Sequence, residues 1–369
     1  MIEALLSWYR AHRRDLPFRR DPTPWRVLVS ETMLQQTRVA VVAPRFESFL
    51  ARFPDPAALA AAPEEAALVE WSGLGYYRRV RSLRAAAAAM VREHGGAVPG
   101  DRAALLALPG VGAYTAGAVL SIAFGKPEPI LDGNVSRVLS RHHLVRGDPK
   151  RGATRRRLGE LAREAVEAGP PAEVNQALME LGALVCLPGT PRCGQCPLVA
   201  TCAGRRAGVE RDLPELPPRR APVRVRLAVA LARRGDRVLL LRAPEGALLA
   251  GTYAPPFAEV ADGTSPAEAL AKLALPLRIG VLLGTIRHAI THRRIEADCY
   301  RATLLSGPLP PGAVLARPEH LPLSSLARKL VGTLVTCNLF RSRPSAGTTP
   351  GAGPLAVPPL LSAPASPRP

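Results

Sequence analysis

The residues with the most chemistry to offer lie in two places. The first is Leu108-Pro109-Gly110-Val111-Gly112, which reads as a hairpin between two helices. Its glycines let the backbone turn tightly and leave amide N–H groups facing outward. With the helix that begins near Ala113, such a turn makes an anion site suited to a DNA phosphate. Asp132 follows in a short Leu-Asp-Gly-Asn turn, where a carboxylate can face a cavity. A phosphate grip and a placed carboxylate are what an enzyme needs to cut a nucleobase from its sugar. The plainer alternative is a helical hairpin followed by an Asx turn. The second place is the run Cys186, Cys193, Cys196 and Cys202. Four thiolates this close can wrap one soft metal centre. Zinc sites usually pair two short knuckles, whereas only one Cys-x-x-Cys occurs here. The spacing therefore favours a [4Fe–4S] cluster, with zinc as the alternative. Arg192, Arg205 and Arg206 border the loop, so the metal centre would fix a basic surface against DNA.

These groups need a frame. The chain has 369 residues, long enough for two domains with cores of their own. Its formal charge of +19 comes from 49 Lys and Arg against 30 Asp and Glu, an excess that suits a polyanion. Few of the cations are lysines, and Ala, Pro and Gly abound, so a GC-rich genome explains the arginines equally well. The N-terminal MIEALLSWYRAHRRDLPF lacks a signal-peptide apolar run, and no apolar span of roughly 18 residues appears. No membrane association and a cytoplasmic location are therefore expected. In a reducing compartment the cysteines are not expected to form a disulfide framework, and Cys299 and Cys337 read as core residues.

The pattern is helical over 1–205, with apolar residues recurring at three and four, as in Val39, Val42, Phe46, Phe49 and Leu50. The Ala-rich run from Ser82 to Val91 has high helix propensity. Residues 206–222 read as a linker whose prolines and charges cannot supply a core. Residues 223–343 turn strand-like, with two β-rich runs joined by a Gly-Asp turn and renewed alternation in ITHRRIEADCYRATLL. The low-complexity 344–369 is expected to be a disordered tail.

At the level of whole motifs, PWRVLVSETMLQQTRV, GLGYYRRVRSL, LPGVGAYTAGAVL, LDGNVSRVL, NQALMELGALVC and the four cysteines closely resemble the adenine DNA glycosylases of the MutY type. These belong to the helix-hairpin-helix glycosylase superfamily. The likeness runs from residue 1 to about 340 and is most specific between 15 and 205. It implies a mainly α glycosylase domain over 1–205, with the hairpin at 105–118 and a [4Fe–4S] loop at 186–202. An α+β Nudix-like domain over 223–343 would read 8-oxoguanine. The implied partner is double-stranded DNA carrying adenine opposite 8-oxoguanine or guanine. The implied enzyme is a monomer of the bacterial nucleoid; no motif identifies other repair proteins as partners.

Physical chemistry gives these residues roles. Adenine leaves poorly until a ring nitrogen is protonated. Glu31, set among Val29, Met33 and Leu34, has the apolar surroundings that raise a carboxyl's pKa and suit it to be that acid. The resemblance has it donate to N7 and then help to activate water. Asp132 would face the positive charge that builds on the sugar, with Asn134 orienting it. Tyr114 stands where bifunctional relatives resembling endonuclease III carry a Schiff-base lysine, so base removal without strand cutting is expected. Gln35 and Gln36 resemble duplex plugs, and Tyr76 or Tyr77 would wedge beside the lesion. Phe18, Arg19 and Gln176 map to the adenine pocket, Phe18 replacing a common Trp. Ile290, Thr291 and His292 align with a lesion-reading loop whose usual core is Phe-Ser-His, so Ile290 gives up the stacking ring. Residues 264–280 lack the acidic helix that binds Mg²⁺ in active Nudix hydrolases, so nucleotide hydrolysis is not expected. Two alternatives stand beside this reading: a glycosylase/lyase for oxidised pyrimidines, and an iron–sulfur protein that binds damaged DNA without cutting.

Overall fold

The computed structural model describes residues 1–218, 221–244, 250–290 and 292–336. Up to Arg206 the chain is helical, and its helices sort into two lobes with separate cores. Residues 16–123 gather around Trp25, Phe46, Phe49, Trp71 and Met90. The second lobe joins the first helix, Ile2–His12, to residues 135–198 through Leu5, Tyr9, Leu139, Leu158 and Leu178. The first helix therefore leaves its sequence neighbours to complete a core built much later in the chain.

Local chemistry explains where the helices nearest the cleft begin. Pro24–Leu34 starts at Thr23, whose side chain accepts from Arg26 N, with proline in the first turn. Gly133–His142 starts at Asp132 in the same way. Arg102–Ala107 and Ala113–Ala118 form the hairpin, and the turn between them requires glycine at 110. There φ is +78°, and a Cβ would fall 2.5 Å from that of Ser82. Ala118 leads into a π-helical turn, Val119–Ala123, in which Ser121 Oγ donates to Gly117 O at 2.7 Å. Gly117 lets Pro129 O approach to 2.7 Å from where a Cβ would stand, drawing the segment before Asp132 against the Tyr114 helix.

The remainder is α+β, as expected. Strands β1 (Val223–Arg234), β2 (Arg237–Arg242), β3 (Tyr253–Ala254), β4 (Phe257–Glu259), β5 (Leu277–Ile290), β6 (Arg293–Leu304) and β7 (Ala313–Ala316) form one sheet of order β3-β2-β1-β6-β5. β4 pairs with β1, and β7 with β2. β1 and β6 run parallel, and the other pairs run antiparallel. The Ser325–Thr336 helix covers one face, and the short Pro266–Ala271 helix covers part of the other. Cys299 is in the core, whereas Cys337 and the tail 344–369 lie outside the described residues. The segment read as a linker is anchored near its middle: Leu213 is buried and its carbonyl accepts from Arg141 Nε at 2.8 Å.

Among the described residues, hydrogen bonds join the two halves at Leu323 and at Ala250. Leu323 O accepts from Ser72 Oγ at 3.0 Å and from Tyr77 OH at 2.8 Å, while Leu323 N donates back to Ser72 Oγ at 3.3 Å. Arg81 adds a bond to Ala250 O at 2.6 Å.

Candidate active site

A cavity of about 260 Å³ lies between the two helical lobes. Phe18, Arg19, Glu31 and Tyr114 line it from one side, and Asp132, Asn134, Gln176 and Glu180 from the other. Glu31 projects from the last turn of Pro24–Leu34 and is buried. Tyr114 OH donates to Glu31 Oε2 at 2.5 Å. Burial pushes the Glu31 carboxyl up to about 7; the Tyr114 bond and Arg19 oppose the rise, and the Asp132 charge adds to it. Burial and the Glu31 charge hold the Tyr114 phenol well above its ordinary value.

Asp132 is both a helix cap and a cavity residue. Its Oδ1 accepts from Val135 N at 2.7 Å and its Oδ2 from Asn134 Nδ2 at 3.0 Å. Burial raises its carboxyl, against the pull of these bonds. Asn134 Oδ1 in turn accepts from Arg137 Nη2 at 2.9 Å, and Arg137 reaches Cys186 O through Nε at 2.7 Å. Arg137 thus ties the Asp132 turn to the cysteine loop. Sequence reasoning passed over it, although it lies one helical turn beyond Asn134.

Glu180 was also missed, although it shares a helix face with Gln176 four residues earlier. It accepts from Arg14 N, Nε and Nη2 at 2.9, 2.8 and 2.7 Å, and from Arg19 Nη2 at 2.9 Å. Burial raises its carboxyl, but these bonds outweigh it and hold the group down at about 2. Gln176 Oε1 accepts from Tyr9 OH at 3.0 Å, and Phe18 packs edge-on against Phe46. Among the described residues no lysine lines the cavity, and exposed Lys126 donates to Gly100 O instead.

The residues expected to meet DNA divide. Gln35 is half-buried and donates to Thr115 Oγ1 at 3.3 Å, whereas Gln36 is exposed. Tyr76 is 43% exposed and Tyr77 only 3%. Tyr77 therefore cannot be the wedge: its ring is in the core and its hydroxyl bonds Leu323 O. Gly110 and Gly112 are exposed, but the Val111 side chain is buried and its N–H returns to Leu108 O. Val111 anchors the turn rather than offering an amide. Half-buried Ile290 and exposed His292 flank the turn between β5 and β6; Thr291 lies outside the described residues. Beside that turn runs a wider, open groove of about 1150 Å³, lined by Arg226, Arg287 and Glu296 among others. It is ordinary charged sheet surface, with Arg287 paired to Glu296 at 3.0 Å.

Cys186, Cys193, Cys196 and Cys202 line one small cavity together with Arg141 and Arg205, and none forms a disulfide. Arg141 Nη1 donates to Cys186 Sγ at 3.4 Å. Among the described residues no three of His, Cys, Asp or Glu gather closely enough to hold a single ion. The four thiols line one space, a donor set that fits a metal centre held by several sulfurs. Burial pushes Cys196 up to about 11.

Residues 29–164 match the model of the HhH-GPD superfamily base excision DNA repair proteins. Over 217 residues the chain is 42% identical to the adenine DNA glycosylase of Mycobacterium tuberculosis, covering 58% of this chain and 70% of that protein. The chain belongs to the adenine DNA glycosylase family. A human member of the family is 43% identical over 219 residues, which are 57% of this chain. The match spans only 40% of that human protein's length. The structure of a thermostable thymine-DNA glycosylase superposes with a TM-score of 0.52 at 29% identity, over 56% of this chain and 95% of that one. It shares the family's helical fold. Among the described residues no helix is long and apolar enough to cross a membrane.

Proposed function

We propose that this chain hydrolyses the N-glycosidic bond of adenine mispaired with 8-oxoguanine or guanine in double-stranded DNA, leaving an abasic site and an uncut strand. The observation that carries the proposal is Glu31, with a carboxyl near 7, bonded to Tyr114 and within electrostatic reach of Asp132. Such an acid is about half protonated at neutral pH, the optimum for giving and taking one proton. It protonates adenine N7, the C1′–N9 electron pair leaves with the purine, and positive charge builds on the sugar. Asp132, stiffened by its two hydrogen bonds, stabilises that charge. Water then adds to C1′ and returns a proton to Glu31. Tyr114 and a cavity without lysine supply no amine for a Schiff base, which supports a monofunctional enzyme.

Gly110 and Gly112 are the proposed phosphate grip, Gln36 and Tyr76 the insertion into the stack, and Ile290 to His292 the lesion-reading turn. Cys186, Cys193, Cys196 and Cys202 are proposed to hold a [4Fe–4S] cluster, which would supply a redox-capable metal cross-link to the loop. Arg137 and Arg141 secure that loop to the Asp132 helix.

The test is single-turnover cleavage of end-labelled duplexes with adenine opposite 8-oxoguanine, guanine or thymine, with and without alkali. Breaks that need alkali and form fastest opposite 8-oxoguanine are expected. Breaks without alkali would move the reading to a glycosylase/lyase. Binding without release by metal-loaded protein would make it a non-enzymatic damage binder.

A further inference from the structure

Arg79 has no part in the cavity chemistry, yet it is the most heavily bonded cation near it. It lies in the first turn of Arg78–Glu93 and reaches back beneath the preceding loop. Nη1 donates to the carbonyls of Thr32, Met33 and Gln35 at 2.8, 2.7 and 2.5 Å. Nη2 donates to Thr37 Oγ1, Leu74 O and Gly75 O at 2.9, 3.1 and 3.0 Å. Its acceptors on one side are the last carbonyls of the Glu31 helix, where the helix dipole favours a cation. The others are Thr37, just beyond Gln36, and Leu74 and Gly75 of the loop that carries Tyr76, whose ring lies 5.6 Å from the guanidinium.

The backbone on both sides is unusual. Gln36 has φ of +58° and Tyr76 of +49°. Residues with a Cβ keep such a conformation only where their surroundings over-determine it, and it clusters at sites of function. Both residues are exposed, and both sit on the two loops that this one guanidinium joins.

We propose that Arg79 is a positioning residue that holds Gln36 and Tyr76 as one rigid pair for insertion into the duplex. This rests on the DNA glycosylase reading above. A base leaves the stack only if side chains take its place, and two loops that must first find each other do this slowly. The planar fork is required: its two Nη atoms share four N–H groups among acceptors on two loops, whereas a lysine ammonium offers three donors from a single point.

The experiment uses the full chain and a duplex with 2-aminopurine beside the target adenine, opposite 8-oxoguanine. Unstacking is followed by stopped-flow fluorescence, and excision by single-turnover cleavage. Arg79→Lys is expected to slow both by about 10- to 100-fold, because misplacement of about 1 Å has that effect. Duplex affinity should stay within about threefold, since phosphate contacts are separate. Placing the adenine in an unpaired bulge should restore much of the excision rate, which a general loosening of the fold would not allow. Thr37→Val removes one of the six acceptors, together with the bond that Thr37 Oγ1 donates to Leu74 O at 3.0 Å, and should show the same pattern more weakly; it decides the matter if Arg79→Lys does not fold. Unstacking and excision at wild-type rates in either folded variant would overturn the proposal. Wild-type protein that releases no adenine would instead overturn the glycosylase reading, and this inference with it.

Discussion

Glu31 and Glu180 face one cavity from opposite walls, both buried, yet one carboxyl stands at about 7 and the other at about 2. Burial raises both, so burial does not separate them. Their partners do. Glu31 receives a phenol, a weak donor with no charge to give, while Glu180 receives two guanidiniums. Arg19 acts on both: it bonds Glu180 directly and lowers Glu31 only through space. By absorbing that charge, Glu180 leaves Glu31 able to keep its proton. The lesson is that an acid is tuned as much by where nearby cations are tied down as by its own contacts.

This comparison can be broken most sharply at Glu31. Glu31→Gln should lower single-turnover adenine release by about 10²- to 10⁴-fold while duplex binding persists, and Asp132→Asn should behave alike. Release within tenfold of wild type for either would remove the cavity from the chemistry. Next comes the opposite wall. Glu180→Gln strands two guanidiniums and should destabilise the fold by roughly 3 kcal/mol in urea titrations, the low end for a broken ion pair because Arg14 is partly solvated. It also frees Arg19, so the alkaline fall in excision should move to lower pH. In the wild type, the stability from Glu180 should be lost as pH falls from 4.5 toward about 2, because its folded value is depressed.

Stability separates the walls again, with the opposite sign. Glu31 is raised from 4.5 to about 7, so the folded state binds its proton more tightly and stability falls as pH rises through that window. Glu31→Gln does not titrate, and should be more stable than wild type by about 3 kcal/mol near pH 8. The gain should vanish near pH 4 in the same urea series. The smallest effect is expected for Tyr114→Phe. Losing the phenol lets the Glu31 carboxyl rise further, moving the alkaline fall to higher pH, with less than about a tenfold change in excision.

What sequence could reveal follows from the same physics. The mainly α half, the α+β half and the cysteine loop announce themselves through local period and spacing. Glu31 and Asp132 stand out as carboxylates in apolar or turn settings. Glu180 does not, because the arginines that tune it stand 161 and 166 residues away. Arg79 leaves no trace, since five of its six acceptors are carbonyls, which every residue has. Tyr76 and Tyr77 are indistinguishable as letters. The helical core that takes the Tyr77 ring and the Leu323 carbonyl that takes its hydroxyl decide which turns inward.

That junction carries a consequence for how the chain tolerates change. Leu323 meets Ser72 and Tyr77 through its main-chain N–H and C=O, not through its side chain. Any residue but proline would keep both groups, and what restricts position 323 is its side chain, which is buried in the core of the sheet domain. Ser72 and Tyr77, by contrast, have no substitute for their hydroxyls except another hydroxyl. Variation across this boundary should therefore be uncoupled: position 323 exchanges apolar residues to suit its own core, Ser72 and Tyr77 keep their hydroxyls, and paired substitutions are absent even though the residues touch.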